Sequence, residues 1–382
     1  MKITRWLILL MLLGSCKDKY TAPVHIPASG FLVVEGFINA GNGSTDFTLS
    51  RATGLDSPYV FLQEAGASVI VESDGGNQYP LTEKGNGNYS IDQLPLDLSQ
   101  RYRVRIKTTD GKEYLSDLSS AKITPPIDSV SWKPEDGGVR IFVTTHDPTN
   151  NSRYYQWNYE ETWEYESQYI STLEYLGAGL FKQRADSDYV HICYIGDIST
   201  SISVGSTAKL NDDVMFEYPL TFISYLASNK LSRKYSILVK QYALTKEWYE
   251  WKEKIKKNTE ELGSIFDAQP SDISGNIHCV SNPGEPVIGY VGCTSETEKR
   301  IFIARSDLPQ TQVHTGYEQC IEDTIPNAEP NIMIYFESGV NLPVMPIYAT
   351  RGPGIVAYTG ASKFCVDCRE AGGVLKKPDF WQ

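Results

Sequence analysis

Residues 101–107 read Arg-Tyr-Arg-Val-Arg-Ile-Lys. Tyr102, Val104 and Ile106 alternate without a break with Arg101, Arg103, Arg105 and Lys107, a period of two that puts one face of a strand in a core and the other in water. Outward from this run the chain repeats the theme. Gly41-Asn42-Gly43 separates FLVVEGFIN from TDFTLS, Asp74-Gly75-Gly76-Asn77 separates ASVIVES from QYPLTE, Gly85-Asn86-Gly87-Asn88 precedes YSI, and Asp110-Gly111 follows the quoted strand. Glycine and asparagine accept the positive φ that tight hairpins demand, so these are hairpin turns. The fold class is mainly β, and residues 29–123 are expected to form an N-terminal sandwich of transthyretin-like or immunoglobulin-like type. The basic stripe of residues 101–107 reads as the solvated face of an antiparallel sheet rather than a docking surface.

Thr124-Pro125-Pro126 breaks both helix and ladder, and a new strand series opens with IDSVSW and VRIFVTT. Residues 124–382 are therefore expected to form a second, fibronectin III-like β-sandwich with a helical insertion near 245–262. Between residues 154 and 175 lie eight large aromatics, Tyr154, Tyr155, Trp157, Tyr159, Trp163, Tyr165, Tyr169 and Tyr175. On alternating strand positions such rings fill a core. The competing reading makes them a platform for sugar or peptide, with Tyr155, Trp157, Tyr159 and Trp163 as the candidate ligand surface. In the helical insertion Thr245 is the expected cap and Gly263 the expected stop, with Trp248, Trp251, Ile255 and Leu262 along one side. Lys252, Lys254, Lys256 and Lys257 make the other side polar, and nearby glutamates offset them, so the helix is expected to pack on a sandwich rather than lie on a membrane.

At the N-terminus Lys2 and Arg5 precede an apolar run over residues 6–13, followed by Leu13-Gly14-Ser15-Cys16. This is the pattern of an export signal, too short for the roughly 20 residues a membrane span needs. Leucine, two small residues and cysteine form a lipobox, so residues 1–15 are expected to be a lipoprotein signal, Cys16 the lipidated residue and 16–28 a tether; a plain secretory signal is the alternative. The chain carries 35 basic and 47 acidic residues, a formal charge of −12; without Lys2 and Arg5 the balance is 33 to 47, or −14. Such an excess of acid argues against nucleic acid as a partner. An exported protein meets oxidising conditions, so Cys193, Cys279, Cys293, Cys320, Cys365 and Cys368 are disulfide candidates. Free thiols, or a zinc or redox role for Cys365-x-x-Cys368, are the alternatives.

Neither HExxH, GxSxG nor a phosphate-binding GK[ST] loop occurs. His25, His146, His191, His278 and His314 are scattered, and the adjacent acids Glu160-Glu161 and Asp212-Asp213 are ordinary in so acidic a chain. No catalytic residue, metal site or cofactor is expected. The lipobox, the stretch CYIGDISTSISVGSTAKLNDDV from Cys193, the aromatic helix, FDAQPSDISGNIHC with PVIGYVG, and the ending CVDCREAGGVLKKPDFW together resemble the Bacteroidota lipoprotein family called domain of unknown function 4249. That resemblance implies a cell-envelope lipoprotein whose gene commonly neighbours a TonB-dependent outer-membrane receptor; the expected location is the outer membrane, at the cell surface rather than the periplasmic face. The expectation is a non-catalytic accessory of such a receptor that captures a peptide, glycan or metal chelate. A structural subunit of an outer-membrane complex and a glycosidase-like hydrolase are the alternatives, discriminated by a Tyr- and Trp-lined pocket, a flat apolar patch, or two carboxyls about 5 to 9 Å apart in a cleft.

Overall fold

A computed structural model describes residues 30–52, 62–260 and 274–381. Among these the chain is mainly β, arranged in six sheets. Residues 101–107 behave as their period dictates, with Tyr102, Val104 and Ile106 fully buried and Arg101 and Lys107 exposed. The arginines of the other face are committed to acids: Arg101 to Asp74, Arg103 and Arg105 to Glu72, and Arg105 also to Glu113. The turns follow their chemistry as well. Asn86 and Gly87 both take positive φ, of 55° and 72°, in the hairpin that joins Thr82–Gly85 to Asn88–Ile91.

Two sheets of six and eight strands enclose the N-terminal core, whose centre is Leu32, Phe47, Leu49, Val71, Tyr102 and Tyr114. This unit does not end at residue 123. Val287–Ile288 pairs in parallel with Phe31–Gly36, Ile277–Cys279 closes on Glu113–Ser116, and Cys293–Thr294 lies between Ile38–Asn39 and Ser119–Lys122. Ile277, Val287, Val291 and both local cysteines are buried in the same core. The expected division at 123/124 is therefore corrected: among the described residues the first sandwich is built from 30–52, 62–122 and 274–294, and the chain crosses between the units more than once.

The crossings are tied together by side chains. Thr124 N–H donates to Ser295 Oγ at 2.8 Å, Ala243 N–H donates to Thr124 Oγ1 at 2.9 Å, and Gln241 Nε2 donates to the Pro125 carbonyl at 2.9 Å. Prolines offer no amide donor, so their carbonyls and the neighbouring hydroxyls carry the junction.

In the second unit a three-stranded sheet, Ile127–Glu135, Gly138–His146 and Val214–Ser224, faces a five-stranded one centred on Tyr154–Glu166 and Lys234–Ala243. The 13-residue strand Tyr154–Glu166 alternates between partly exposed and buried along its whole length. A smaller third layer, with its own core around Leu173, Ile325, Ile332, Phe336 and Tyr358, combines Asp323–Pro326, Asn341–Tyr348 and Ile355–Ser362 with the helix Glu329–Phe336 and the hairpin of Leu173–Gly177 and Leu180–Gln183. Among the described residues the C-terminal region thus holds this core apart from that of the second sandwich, where one continuous sandwich is expected.

Disulfides join Cys193 to Cys368 and Cys320 to Cys365, closing loops of 175 and 45 residues. The two cysteines of Cys365-x-x-Cys368 therefore serve separate bridges and form neither a redox pair nor half of a zinc site. Cys279 and Cys293, expected as bridge partners, are free and buried. They belong to one sheet with three strands between them, on the order of 19 Å at about 4.8 Å per strand, whereas a disulfide needs Cα atoms within about 7 Å. Burial pushes the Cys293 thiol up to about 12, which leaves it an inert core side chain.

Candidate functional site

The rings of the aromatic strand point inward. Tyr155 and Trp157 are fully buried, and Tyr159 and Trp163 nearly so. Each polar tip has an internal partner: Tyr155 Oη donates to Asp213, Trp157 Nε1 to Gln241 Oε1 at 2.8 Å, Tyr159 Oη pairs with Thr221, and Trp163 Nε1 donates to Asn229 Oδ1 at 3.0 Å. A buried indole or phenol satisfied in this way is core. The ligand-surface reading of these four residues is corrected, although Tyr159 also borders a second cavity. Of the five histidines, His146 meets Asp128, His278 meets Asp117 and His314 meets Glu318, while His25 and the lipobox Cys16 lie outside the described residues.

The opposite face of the same strand contributes to a site. Gln156 and Asn158, set between the buried rings, open into a cleft of about 370 Å³ bounded by the first sandwich, the second sandwich and the helix Lys246–Thr259. Thr245 caps this helix as its sequence predicts, its hydroxyl accepting from the Trp248 amide at 3.3 Å; the expected stop at Gly263 lies outside the described residues. Trp248 is buried, and Trp251 and Ile255 beside it are half-buried.

Tyr290 is sandwiched against the helix, parallel to Trp248 with ring centroids 6.0 Å apart and tilted to Trp251 at 5.6 Å. Phe37 meets Tyr242 edge to face at 5.3 Å in the same lining. The close approach depends on glycine. A Cβ on Gly292 would lie 2.2 Å from Trp248 Cε3, and one on Gly289, at φ +131°, would lie 2.1 Å from the Val34 carbonyl oxygen. Trp248 Nε1 is buried without a hydrogen-bond partner among the described residues, and Tyr242 Oη donates to the Glu296 carboxylate. Lys252 and Glu35 complete the lining.

The second cavity, of about 400 Å³, is lined by Glu161, Asp197, Lys230 and several hydroxyls. Its two acids are cross-strand neighbours, but Lys230 Nζ lies 2.5 Å from Glu161 and 3.9 Å from Asp197, and Tyr235 Oη donates to Glu161 at 2.7 Å. Glu161 is thereby tied into a buried ion pair rather than presented to a substrate. Asp213 is likewise occupied, accepting from Tyr155 and Thr207. Among the described residues no group of three or more His, Cys, Asp and Glu is placed to hold a metal.

Sequence reasoning passed over Phe37, Gln156, Asn158, Tyr242 and Tyr290. The signal that could have found them was the pair Trp248 and Trp251 three residues apart, facing a Gly-Tyr-Val-Gly run at residues 289–292. Fold and site together define a mainly β protein of stacked sandwiches with an aromatic cleft where its units meet. The family described as domain of unknown function (DUF4249) matches residues 18–300, and the chain belongs to that family. No curated protein sequence matches it.

Proposed function

We propose that the protein is a non-catalytic envelope lipoprotein that captures a ligand in the aromatic cleft as the accessory of a TonB-dependent outer-membrane receptor. The observation that carries the ligand-capture half is the cleft itself. It is concave and walled by Trp248, Trp251, Tyr290, Tyr242 and Phe37, with the polar groups of Gln156, Asn158 and Lys252 placed among the rings. Few polar groups in a largely aromatic cavity are what small-molecule recognition requires. Lipid attachment at Cys16, the outer membrane and the receptor belong to the same reading, and rest on the lipobox and on the family resemblance. Peptide, glycan and metal chelate are the ligand classes to try.

Equilibrium binding of peptide and glycan libraries to the wild type and to Trp251→Ala tests the capture reading. A ligand whose affinity falls at least tenfold in the variant is the expected result. Ligands bound equally by both proteins, or none at all, would remove the cleft from the account. For the anchor, Cys16→Ser is expected to leave the protein in the soluble fraction, since the acyl chains supply most of the membrane affinity. Sedimentation of that variant with membranes after a high-salt wash would place the anchor elsewhere.

One observation favours the assembly alternative. Leu176, Leu180, Ile334, Val340 and Tyr348, on the third layer and its hairpin, are each more than half exposed. Exposed apolar side chains concentrated on one layer suit a protein contact surface. In that case the protein would remain in a complex with other envelope proteins whether or not the cleft is altered.

A further inference from the structure

Among the described residues, one ammonium in the cleft has no carboxylate in ion-pair contact. Three other well-covered lysines, Lys112, Lys230 and Lys240, each sit 2.5 to 2.7 Å from a carboxylate oxygen, of Glu285, Glu161 and Glu160 respectively. Lys252 has no carboxylate within 4.0 Å among the described residues. The helix explains why. Residues three and four positions away on a helix are neighbours, and for Lys252 these are Trp248, Tyr249, Ile255 and Lys256; Glu247, Glu250 and Glu253 all fall at other spacings. Its Nζ lies 5.5 Å from the centre of the Trp251 ring. Burial holds Lys252 below the ordinary lysine range, and the more distant charge of Glu35 only partly opposes this.

Resting on the ligand-capture reading above, we propose that the cleft takes an organic anion, a carboxylate carried on a flat or apolar body, with the Lys252 ammonium as its anchor. A half-buried cation that no internal acid neutralises gains a charge-assisted hydrogen bond when a carboxylate arrives. The rings of Trp251, Tyr290 and Phe37 accept the body by stacking and edge contact. Gln156 and Asn158 bring amide groups to the same wall, with Gln156 Nε2 donating to Asn158 Oδ1 at 3.0 Å. Glu35, in the same lining, works against the anion by its charge.

Isothermal titration of the full chain with 2-naphthoate and with its uncharged counterpart 2-naphthamide tests the anchor. Naphthoate is expected to bind about tenfold or more tightly than the amide, the span of one charged hydrogen bond. Lys252→Gln is expected to erase the difference by bringing naphthoate down to the affinity of the amide, and Glu35→Gln to tighten naphthoate by a few-fold. Equal binding of the two probes, lost in Trp251→Ala but indifferent to Lys252→Gln, would overturn the anionic preference and leave the cleft as a neutral site. Binding of neither probe, or binding that Trp251→Ala leaves intact, would overturn both the anchor and the cleft.

Discussion

At the scale of single residues, two side chains test how closely the cleft and its sheet are fitted. Gly292 lets the Trp248 ring lie against backbone, and a methyl there would meet two ring atoms at 2.2 and 2.3 Å. Since indole and backbone are both stiff, Gly292→Ala is expected to cost about 1 to 3 kcal/mol, the usual range for overpacking, and to change the near-ultraviolet signal of Trp248. A thermal melt at wild-type stability would mean that the helix has room to withdraw. Glu72 is the hub of the arginine stripe, nearly buried and contacted by Arg103 and Arg105. Burial pushes its carboxyl upward, but the hydrogen bonds from Arg105 and Arg103 together outweigh that and hold it below the usual carboxylate range. The stability it contributes is therefore present above about pH 4.3, the unfolded value, and is lost as pH falls through the lowered folded value. Glu72→Gln is expected to lower stability at neutral pH and to flatten the acid limb of the pH profile. Unfolding curves that superimpose for variant and wild type between pH 3 and 7 would show that the pairs contribute nothing.

Among the elements, length decided what could be read in advance. The strands Arg101–Lys107 and Tyr154–Glu166 are long enough for a period of two to be unmistakable, and the helix Lys246–Thr259 shows its cap and its tryptophan stripe openly. Ile277–Cys279, Val287–Ile288 and Cys293–Thr294 are two or three residues each, too short to display any period. They nevertheless complete the first sandwich through pairings such as Leu32 with Val287, which join segments some 250 residues apart and leave no local trace. The cleft was hidden for the same reason, because Phe37, Gln156, Tyr242 and Tyr290 meet only after those pairings form. The aromatic strand was legible as a strand, but the rings that drew attention were its core face, and the useful residues were the polar ones between them. A fragment of residues 29–123 lacks three strands and the buried Ile277, Val287 and Val291. It is expected to be unfolded by circular dichroism, and a fragment that melts cooperatively would mean that the added strands are dispensable.

For the whole molecule, the repeated crossing of the chain and the hydroxyl-rich junction at Thr124, Ala243 and Ser295 couple the first sandwich to the second. The disulfides Cys193–Cys368 and Cys320–Cys365 extend this coupling to the third layer, each bridge contributing about 2 to 4 kcal/mol. The cleft lies where these coupled parts meet, so a ligand there should hold them together and stabilise them as one body. Binding raises stability with the logarithm of ligand concentration over Kd, about 2.7 kcal/mol at one hundred times Kd. Differential scanning calorimetry of the full chain with and without saturating 2-naphthoate measures this directly. One cooperative transition is expected, shifted upward by the ligand in the wild type and unshifted in Trp251→Ala. Two separate transitions, or a ligand shift that Trp251→Ala retains in full, would contradict a ligand-binding cleft formed jointly by the two sandwiches and the helix.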